Sequence, residues 1–211
     1  MKKQVVLIQV LLLFTLLTYG MQSGTYMFKI LNFEAATETV TFKKAADGVI
    51  AFNSLTDLHF QEQKAVYATT GQIKDNTIID YQLNLFFNGT EQQINCALKD
   101  DVLKYRTNTL SDEVQIESPL LLLDNNLAWT WQLVYNLYQV NGYKKINVFV
   151  PQLLLRNFTD ILTIEIQKTT DTDEHTNVFF DYNGQSGMLK VDQDGQVVQM
   201  LMSGTIMERT Q

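Results

Sequence analysis

The chain has little cysteine, histidine and proline, and each shortage excludes a class of protein. Its single cysteine among 211 residues, Cys96, can form no internal disulfide. Its two histidines, His59 and His175, are not spaced as in a zinc motif. The two prolines, Pro119 and Pro151, exclude a proline-rich linker, and no internal repeat is found. The sequence therefore predicts one domain held together by buried apolar side chains.

Charge is also scarce, and its balance is negative. Charged residues make up 18% of the chain and hydrophobic residues 45%, with a net charge of −7. The hydrophobic fraction supports a core and excludes disorder over the whole chain. The negative charge repels phosphate groups, which excludes nucleic acid as an expected partner. The chain also lacks a phosphate-binding glycine loop, a dinucleotide fingerprint and a Gly-x-Ser-x-Gly elbow, so no cofactor is predicted.

The first 20 residues predict export. Lys2 and Lys3 precede an apolar run from Val5 to Leu17, which is short for a membrane span. This pattern is typical of a signal peptide over residues 1–20. The alternative is an uncleaved N-terminal anchor, in which case the chain contacts the membrane only through residues 4–20. Either way, the protein is expected to be periplasmic or extracellular.

Alternation of apolar and polar residues dominates the remaining chain, residues 24–210, which is expected to form a single β-rich domain. Every second residue from Ile79 to Phe87 is apolar, for example, and polar residues stand between most of them. One apolar face at a period of two is typical of antiparallel strands buried on one side. Strands are expected near 25–33, 38–44, 49–60, 64–71, 77–87, 91–98, 102–107, 145–150, 160–168, 176–182, 187–191 and 196–207.

The turns between these segments favour hairpins. Asn-Gly or Asp-Gly pairs tolerate the left-handed backbone of tight hairpin turns, and they stand at 47–48, 88–89, 183–184 and 194–195. So many hairpin-linked strands do not fit one flat open sheet. The predicted fold is therefore mainly β: a strongly curved antiparallel sheet, as a half-barrel or barrel, packed around one central α-helix near 125–140.

The helix is predicted from the segment between Pro119 and Gly142, which contains one charged side chain, Asp124. Asp124, Asn125 or Asn126 is expected to cap its N-terminus, and Gly142 to end it. An apolar stripe at helical spacing is expected to fill the concave side of the sheet; it comprises Leu127, Trp131, Leu133, Val134, Leu137 and Tyr138.

The opposite face of this helix is polar but uncharged. Gln132, Asn136 and Gln139 lie there, which favours contact with backbone edges and loops over open solvent. Trp129 is placed on this side and is expected to be the more exposed tryptophan. One interpretation is a core helix. The other is a ligand wall, because tryptophan is enriched at binding sites; its predicted ligand-binding residues are Trp129, Trp131, Tyr135 and Tyr138.

Other chemical motifs in the chain are minor. Cys96 is in phase with apolar neighbours and is expected to be a small buried residue. His175 is expected to be solvated. Weak calcium binding is an alternative at two acidic loops, which contain Asp171, Asp173, Glu174, Asp192 and Asp194. Two Asn-x-Thr acceptor patterns, at Asn88 and Asn157, matter only if the host glycosylates exported proteins.

The segments LLLLDNN (120–126) and VFVPQ (148–152), with the helix between them, resemble uncharacterised exported bacterial domains of unknown function. Those domains in turn resemble curved-sheet envelope proteins of the periplasmic lipoprotein-carrier type. The closing segment, residues 187–210, is similar to the final hairpin of such domains. In the carrier group the concave side of the sheet takes lipid chains. The resemblance implies no individual binding residue.

The function expected from these observations is that of a non-enzymatic exported envelope domain. It binds an apolar, lipid-like ligand or an envelope protein in the concave face of its sheet. The alternative is an envelope hydrolase or the accessory domain of an enzyme. For that role Asp57 and His59 are the one acid–base pair that the sequence offers. No metal site and no catalytic residue is assigned.

Overall fold

A computed structural model describes residues 21–60, 63–117, 119–124 and 127–210. Within them, fifteen strands form one curved sheet that does not close, and the predicted fold class is confirmed. The predicted signal peptide or anchor, residues 1–20, lies outside the described residues. The strands are β1 (Gly24–Ile30), β2 (Phe33–Lys44), β3 (Ile50–Phe60), β4 (Gln63–Lys74), β5 (Thr77–Phe87), β6 (Thr90–Lys99), β7 (Val102–Thr107), β8 (Ser111–Gln115), β9 (Leu120–Leu122), β10 (Lys145–Phe149), β11 (Leu162–Asp171), β12 (His175–Tyr182), β13 (Gln185–Asp192), β14 (Val197–Met202) and β15 (Thr205–Arg209).

The strands pair mainly as a meander, as the hairpin turns predicted. Their order is β8-β7-β6-β5-β4-β3-β2-β1-β15-β14-β13-β12-β11-β10-β9, so the first strand pairs with the last and joins two halves of the sheet. All described pairs are antiparallel except β9 with β10, which is parallel. The two edges of the sheet are β8 and β9. None of the helices formed by the described residues is long and apolar enough to cross a membrane.

Two predicted strands are hairpins instead. Segment 25–33 is broken by a turn at Leu31 and Asn32, both at positive φ, and segment 196–207 by a turn at Ser203 and Gly204. Leu31 is not a usual residue for a left-handed position, so nothing in the sequence marks that turn, whereas the Ser203-Gly204 pair is a turn signal that the prediction overlooked. Strands β8 and β9 were not predicted, because one is almost wholly polar and the other has only three residues.

The predicted alternation of inward and outward residues in β5 fails at its first inward position. Ile78 is completely buried, whereas Ile79, which was expected to face inward, is only partly buried. The pairing of β4 with β5 shifts register between Gln72 and Ile73, opposite these residues. The bulge adds one residue to β5 and moves its first inward position back by one.

The single α-helix of the described chain, α1 (Thr130–Asn141), starts later than predicted. Trp129 occupies its N-cap position and makes no side-chain capping bond there. The prediction that Asp124 caps the helix is wrong, because five residues separate Asp124 from the first helical residue. The alternative caps, Asn125 and Asn126, lie outside the described residues. The predicted end is confirmed: Gly142 is left-handed and its N–H donates to the carbonyl of Tyr138. Two short 3-10 helices, Ala46–Gly48 and Pro151–Arg156, complete the fold.

The two tryptophans connect α1 with both halves of the sheet. Trp129 packs against Phe42 of β2 and Phe52 of β3, with ring centroids 5.2 and 4.7 Å away. Trp131 packs against Phe180 of β12, with centroids 5.0 Å apart. Each tryptophan is 1% exposed, so the prediction that Trp129 is the exposed one is wrong. The prediction began the helix too early, so it assigned a helical face to Trp129, which precedes the first helical residue.

Replacing Gly71 of β4 with alanine is expected to destabilise the fold. A Cβ there would overlap the carbonyl oxygen of Asp80 and lie 2.8 Å from the ring of Phe52. Overpacking of this kind costs about 1–3 kcal/mol, which urea unfolding would measure. Thr70→Ala, at the exposed neighbouring position, is the control. A G71A variant as stable as T70A would contradict the close packing of β4 on β5.

Candidate functional site

Two carboxyl groups are buried where the segment that precedes α1 meets the concave face. Glu38 belongs to β2 and Asp124 to that segment, and both are completely buried. With Ser54 and Tyr81 they form what we call the acid cluster. The ion pairs Lys29–Glu208 and Lys104–Glu113 lie elsewhere on the sheet. Burial of a carboxyl group is costly unless a partner or protonation compensates.

Hydrogen bonds attach Glu38 to both the sheet and the segment before the helix. The hydroxyl of Ser54 donates to Oε1 at 2.6 Å, and the backbone N–H of Ala128 donates to Oε2 at 2.7 Å. Ala128 is 90 residues further along the chain. Glu38 therefore fixes the start of the helix against β2 and β3.

The environment of Glu38 favours its neutral form. Burial raises the pKa of this carboxyl to about 8, and the nearby carboxylate of Asp124 contributes in the same direction. The hydrogen bonds from Ser54 and Ala128 lower the pKa and offset only part of this rise. At pH 7 the side chain is mostly protonated, so the concave face carries less negative charge than the sequence suggests.

Asp124 forms the second half of the acid cluster. The phenol of Tyr81 on β5 donates a hydrogen bond to its Oδ2. Burial raises the pKa of Tyr81 well above its ordinary value, and the carboxylate of Asp124 adds to this rise. Burial likewise raises the pKa of the Cys96 thiol. Cys96 is thus an inert buried residue, as predicted, since its thiolate is disfavoured at neutral pH.

Sequence reasoning did not identify the acid cluster. Glu38 lies in phase with the apolar Val40 two residues further along β2, so the alternation itself contained the signal. A glutamate in a strand is normally assigned to solvent. Asp124 was noticed but was given the role of a helix cap, and its partner on β5 is 43 residues away.

Two of the three amides on the polar face of α1, Gln132 and Asn136, meet backbone and loops as predicted, whereas Gln139 is exposed. Gln132 is buried; its Oε1 accepts from Val197 N–H at 2.7 Å, and its Nε2 donates to the carbonyl of Gly195 at 2.9 Å. Asn136 is also buried and donates to the side-chain oxygen of Asn76 at 3.2 Å. These amides attach the helix to the β4–β5 and β13–β14 turns, which lie at one end of the sheet.

The four predicted ligand-binding residues lie on or beside α1 and differ in accessibility. Trp129 and Trp131 are core residues, whereas Tyr135 and Tyr138 are half-buried against the core. Within the described part of the chain, neither indole N–H has a hydrogen-bond acceptor. The two tryptophans pack in the core, and the two tyrosines are the more accessible members of the set. The role of all four in binding stays a prediction.

The opposite end of the concave face is apolar and partly open. Its last registered row crosses β1 to β5 and consists of Phe28, Ala36, Leu58, Ala65 and Phe87, which we call the tip row. Three of these are buried, Leu58 is partly buried, and Phe87 is 37% exposed. The apolar interior therefore reaches solvent near the hairpin turn between β5 and β6.

The remaining candidate residues lie on the outside of the sheet. Asp57 and His59 share the exposed face of β3. The described residues contain no group of three or more His, Cys, Asp or Glu side chains suited to a metal ion. Asp192, from one predicted acidic loop, accepts hydrogen bonds from the N–H groups of Asp194 and Gln196 within its hairpin turn. The acceptor asparagines of both Asn-x-Thr patterns are exposed and left-handed.

Comparison of the chain with models of known protein families, with curated protein sequences and with solved structures finds no match. The function must therefore be inferred from the geometry of the site.

Proposed function

We propose that this chain is a non-enzymatic exported domain that holds an apolar, lipid-like ligand in the concave face of its sheet. The supporting observation is the tip row, an apolar row of the concave face that reaches solvent at Phe87. The ligand lies along Leu58 and Phe87, at the end opposite the turns that fix α1. Ligand sites are typically concave and apolar, with few polar groups.

The acid cluster supports this proposal in a second way. A charged carboxylate beneath the site would oppose binding of an acyl chain, because the chain would displace the water that the charge prefers. Glu38 is instead mostly neutral at pH 7 and hydrogen-bonded to Ser54 and Ala128. Glu38, which lies one row from the tip row, thus adds little charge beside apolar material, and Tyr81 donates a hydrogen bond to the carboxylate of Asp124.

Ligand uptake is expected to depend on Leu58 and not on Leu55. Both lie on β3, but Leu58 faces inward and packs on the core, whereas Leu55 faces outward and is exposed. Leu58→Gln is expected to weaken uptake of a fluorescent fatty acid at least about tenfold, since a buried leucine contributes roughly 1.5–3 kcal/mol. Leu55→Gln is expected to leave uptake unchanged.

Two further measurements complete this test. Lipid extraction of the natively purified protein followed by mass spectrometry is expected to release a bound apolar compound. Phe87→Gln, at the partly exposed end of the tip row, repeats the test at a position less important for folding. Thermal unfolding of each variant separates loss of binding from loss of structure. Equal uptake by the Leu58 and Leu55 variants, with no extractable ligand, would refute the proposal.

A further inference from the structure

The convex face of the sheet also carries an apolar row, separate from the tip row of the concave face. Phe179, Met188, Leu201 and Ile206 stand opposite one another on β12 to β15 and form a continuous line across four strands, which we call the outer row. Each is only partly buried, whereas their chain neighbours Phe180, Leu189, Met200 and Met207 point into the core. The outer row therefore faces away from the concave site.

The outer row lines a groove of about 550 Å³. Leu31, at the β1–β2 turn, extends this groove and is 70% exposed. It occupies a left-handed position, which a leucine adopts only at some cost in backbone energy. An exposed leucine in a conformation unfavourable to it does little for the fold, and it adds apolar surface beside the groove.

A lysine stands in register at each end of the outer row. Lys168 of β11 pairs with Phe179, and its ammonium lies 4.8 Å from the centroid of the Phe179 ring. Lys29 of β1 pairs with Ile206, but its ammonium is bound to Glu208 at 2.5 Å. The two ends therefore differ, because Glu208 neutralises Lys29 whereas no ion pair of Lys168 is found in the described chain.

We infer that this groove binds a single acyl chain that ends in a carboxylate, with the chain on the outer row and the carboxylate at Lys168. From Lys168 to Ile206 the row crosses four interstrand spacings, about 19 Å in all, which suits a medium-length chain. The next row toward the hairpin tips carries Glu165 and Asp181, opposite each other. Their charges repel a carboxylate from that side, so the headgroup lies on the side of Lys168 away from these two acids. The ligand class is that of the proposed function, but the site and its orientation are separate.

Methionine methyl groups allow a direct test with laurate below its micelle concentration. In the purified protein labelled with ¹³C at methionine methyls, laurate is expected to shift the NMR signal of Met188, which lines the groove. The signal of Met200, which is buried in the core, is the internal control. No shift at Met188, or an equal shift at Met200, would overturn the inference.

Two variants test the chain and the headgroup separately. Leu201→Gln is expected to weaken laurate binding at least about tenfold, with Leu55→Gln on the same convex side as its control. Lys168→Gln is expected to weaken laurate binding by up to about fivefold and to leave binding of methyl laurate, which has no charge, unchanged. Equal losses for laurate and its ester would refute the role of Lys168.

Three outcomes distinguish this site from its alternatives. If Leu58→Gln abolishes the shift at Met188, the groove is not an independent site and the inference fails, while the proposed function stands. If Leu58→Gln abolishes uptake at the concave face but the shift at Met188 remains, both proposals are supported. Sedimentation with phosphatidylcholine vesicles that depends on Leu201, without any response to monomeric laurate, would show a bilayer surface as the partner and overturn the inference.

Discussion

Raising the pH from about 5 to about 8 is expected to lower the free energy of unfolding, and Glu38→Gln is expected to remove much of this loss. Glu38 has an ordinary pKa near 4.5, which burial raises to about 8 in the folded chain. Urea unfolding at a series of pH values would measure the effect as the difference between the two proteins.

The sign follows from proton binding. Between pH 4.5 and about 8 the folded protein keeps a proton on Glu38 that the unfolded chain has released. Stability from this group is therefore complete below pH 4.5 and is lost as pH rises through about 8. The slope for one proton is at most about 1.4 kcal/mol per pH unit, so the loss across the window amounts to several kcal/mol.

Glutamine is a suitable replacement because it has the shape of the neutral acid. Its carbonyl can accept from Ala128 N–H and its amide can donate to Ser54, so both contacts of Glu38 are retained. Glu34→Gln, at an exposed position of the same strand, is the matched control and is expected to keep the pH dependence. Parallel pH profiles for E38Q and the unaltered chain would show that Glu38 is charged when folded.

The fold was largely predictable because its main determinants are local. Period-two alternation identified most strands, and Asn-Gly or Asp-Gly turns identified the meander. Curvature followed because so many hairpin-linked strands with one buried face do not fit a flat sheet. The turn at Leu31 was not predictable, because cross-strand pairing imposes a left-handed backbone on a residue that does not favour it. The bulge at Ile79 was hidden for a related reason: its cause is the register with β4.

The acid cluster was less predictable because its contacts are distant in sequence. Glu38 meets Ala128 and Asp124 meets Tyr81, and only the folded sheet brings these pairs together. Burial changes the protonation of Glu38, so a residue classed as charged becomes a neutral hydrogen-bonding group. The outer row is similarly invisible, because each of its members comes from a different strand and only the register aligns them.

Replacing Trp129 with alanine is expected to destabilise the protein by about 3–5 kcal/mol, or roughly 6–20 °C in Tm. The indole is 1% exposed and packs against the rings of Phe42 and Phe52, so its removal leaves a cavity between α1 and the sheet. Trp129→Phe retains an aromatic contact and is expected to cost less. Val140→Ala, at an exposed position of α1, is the control and is expected to change stability by under about 1 kcal/mol.

The same residue separates the two interpretations of the tryptophan-rich helix. In a Trp131→Phe background Trp129 is the one remaining tryptophan, so its fluorescence reports on that site alone. A core residue gives blue-shifted emission that aqueous iodide does not quench, and Trp129→Ala lowers stability whether or not ligand is present. A ligand wall gives quenching that bound fatty acid suppresses, with little change in the stability of the free protein. The packing around Trp129 favours the first result, because both aromatic neighbours belong to the sheet and leave the indole no surface for a ligand.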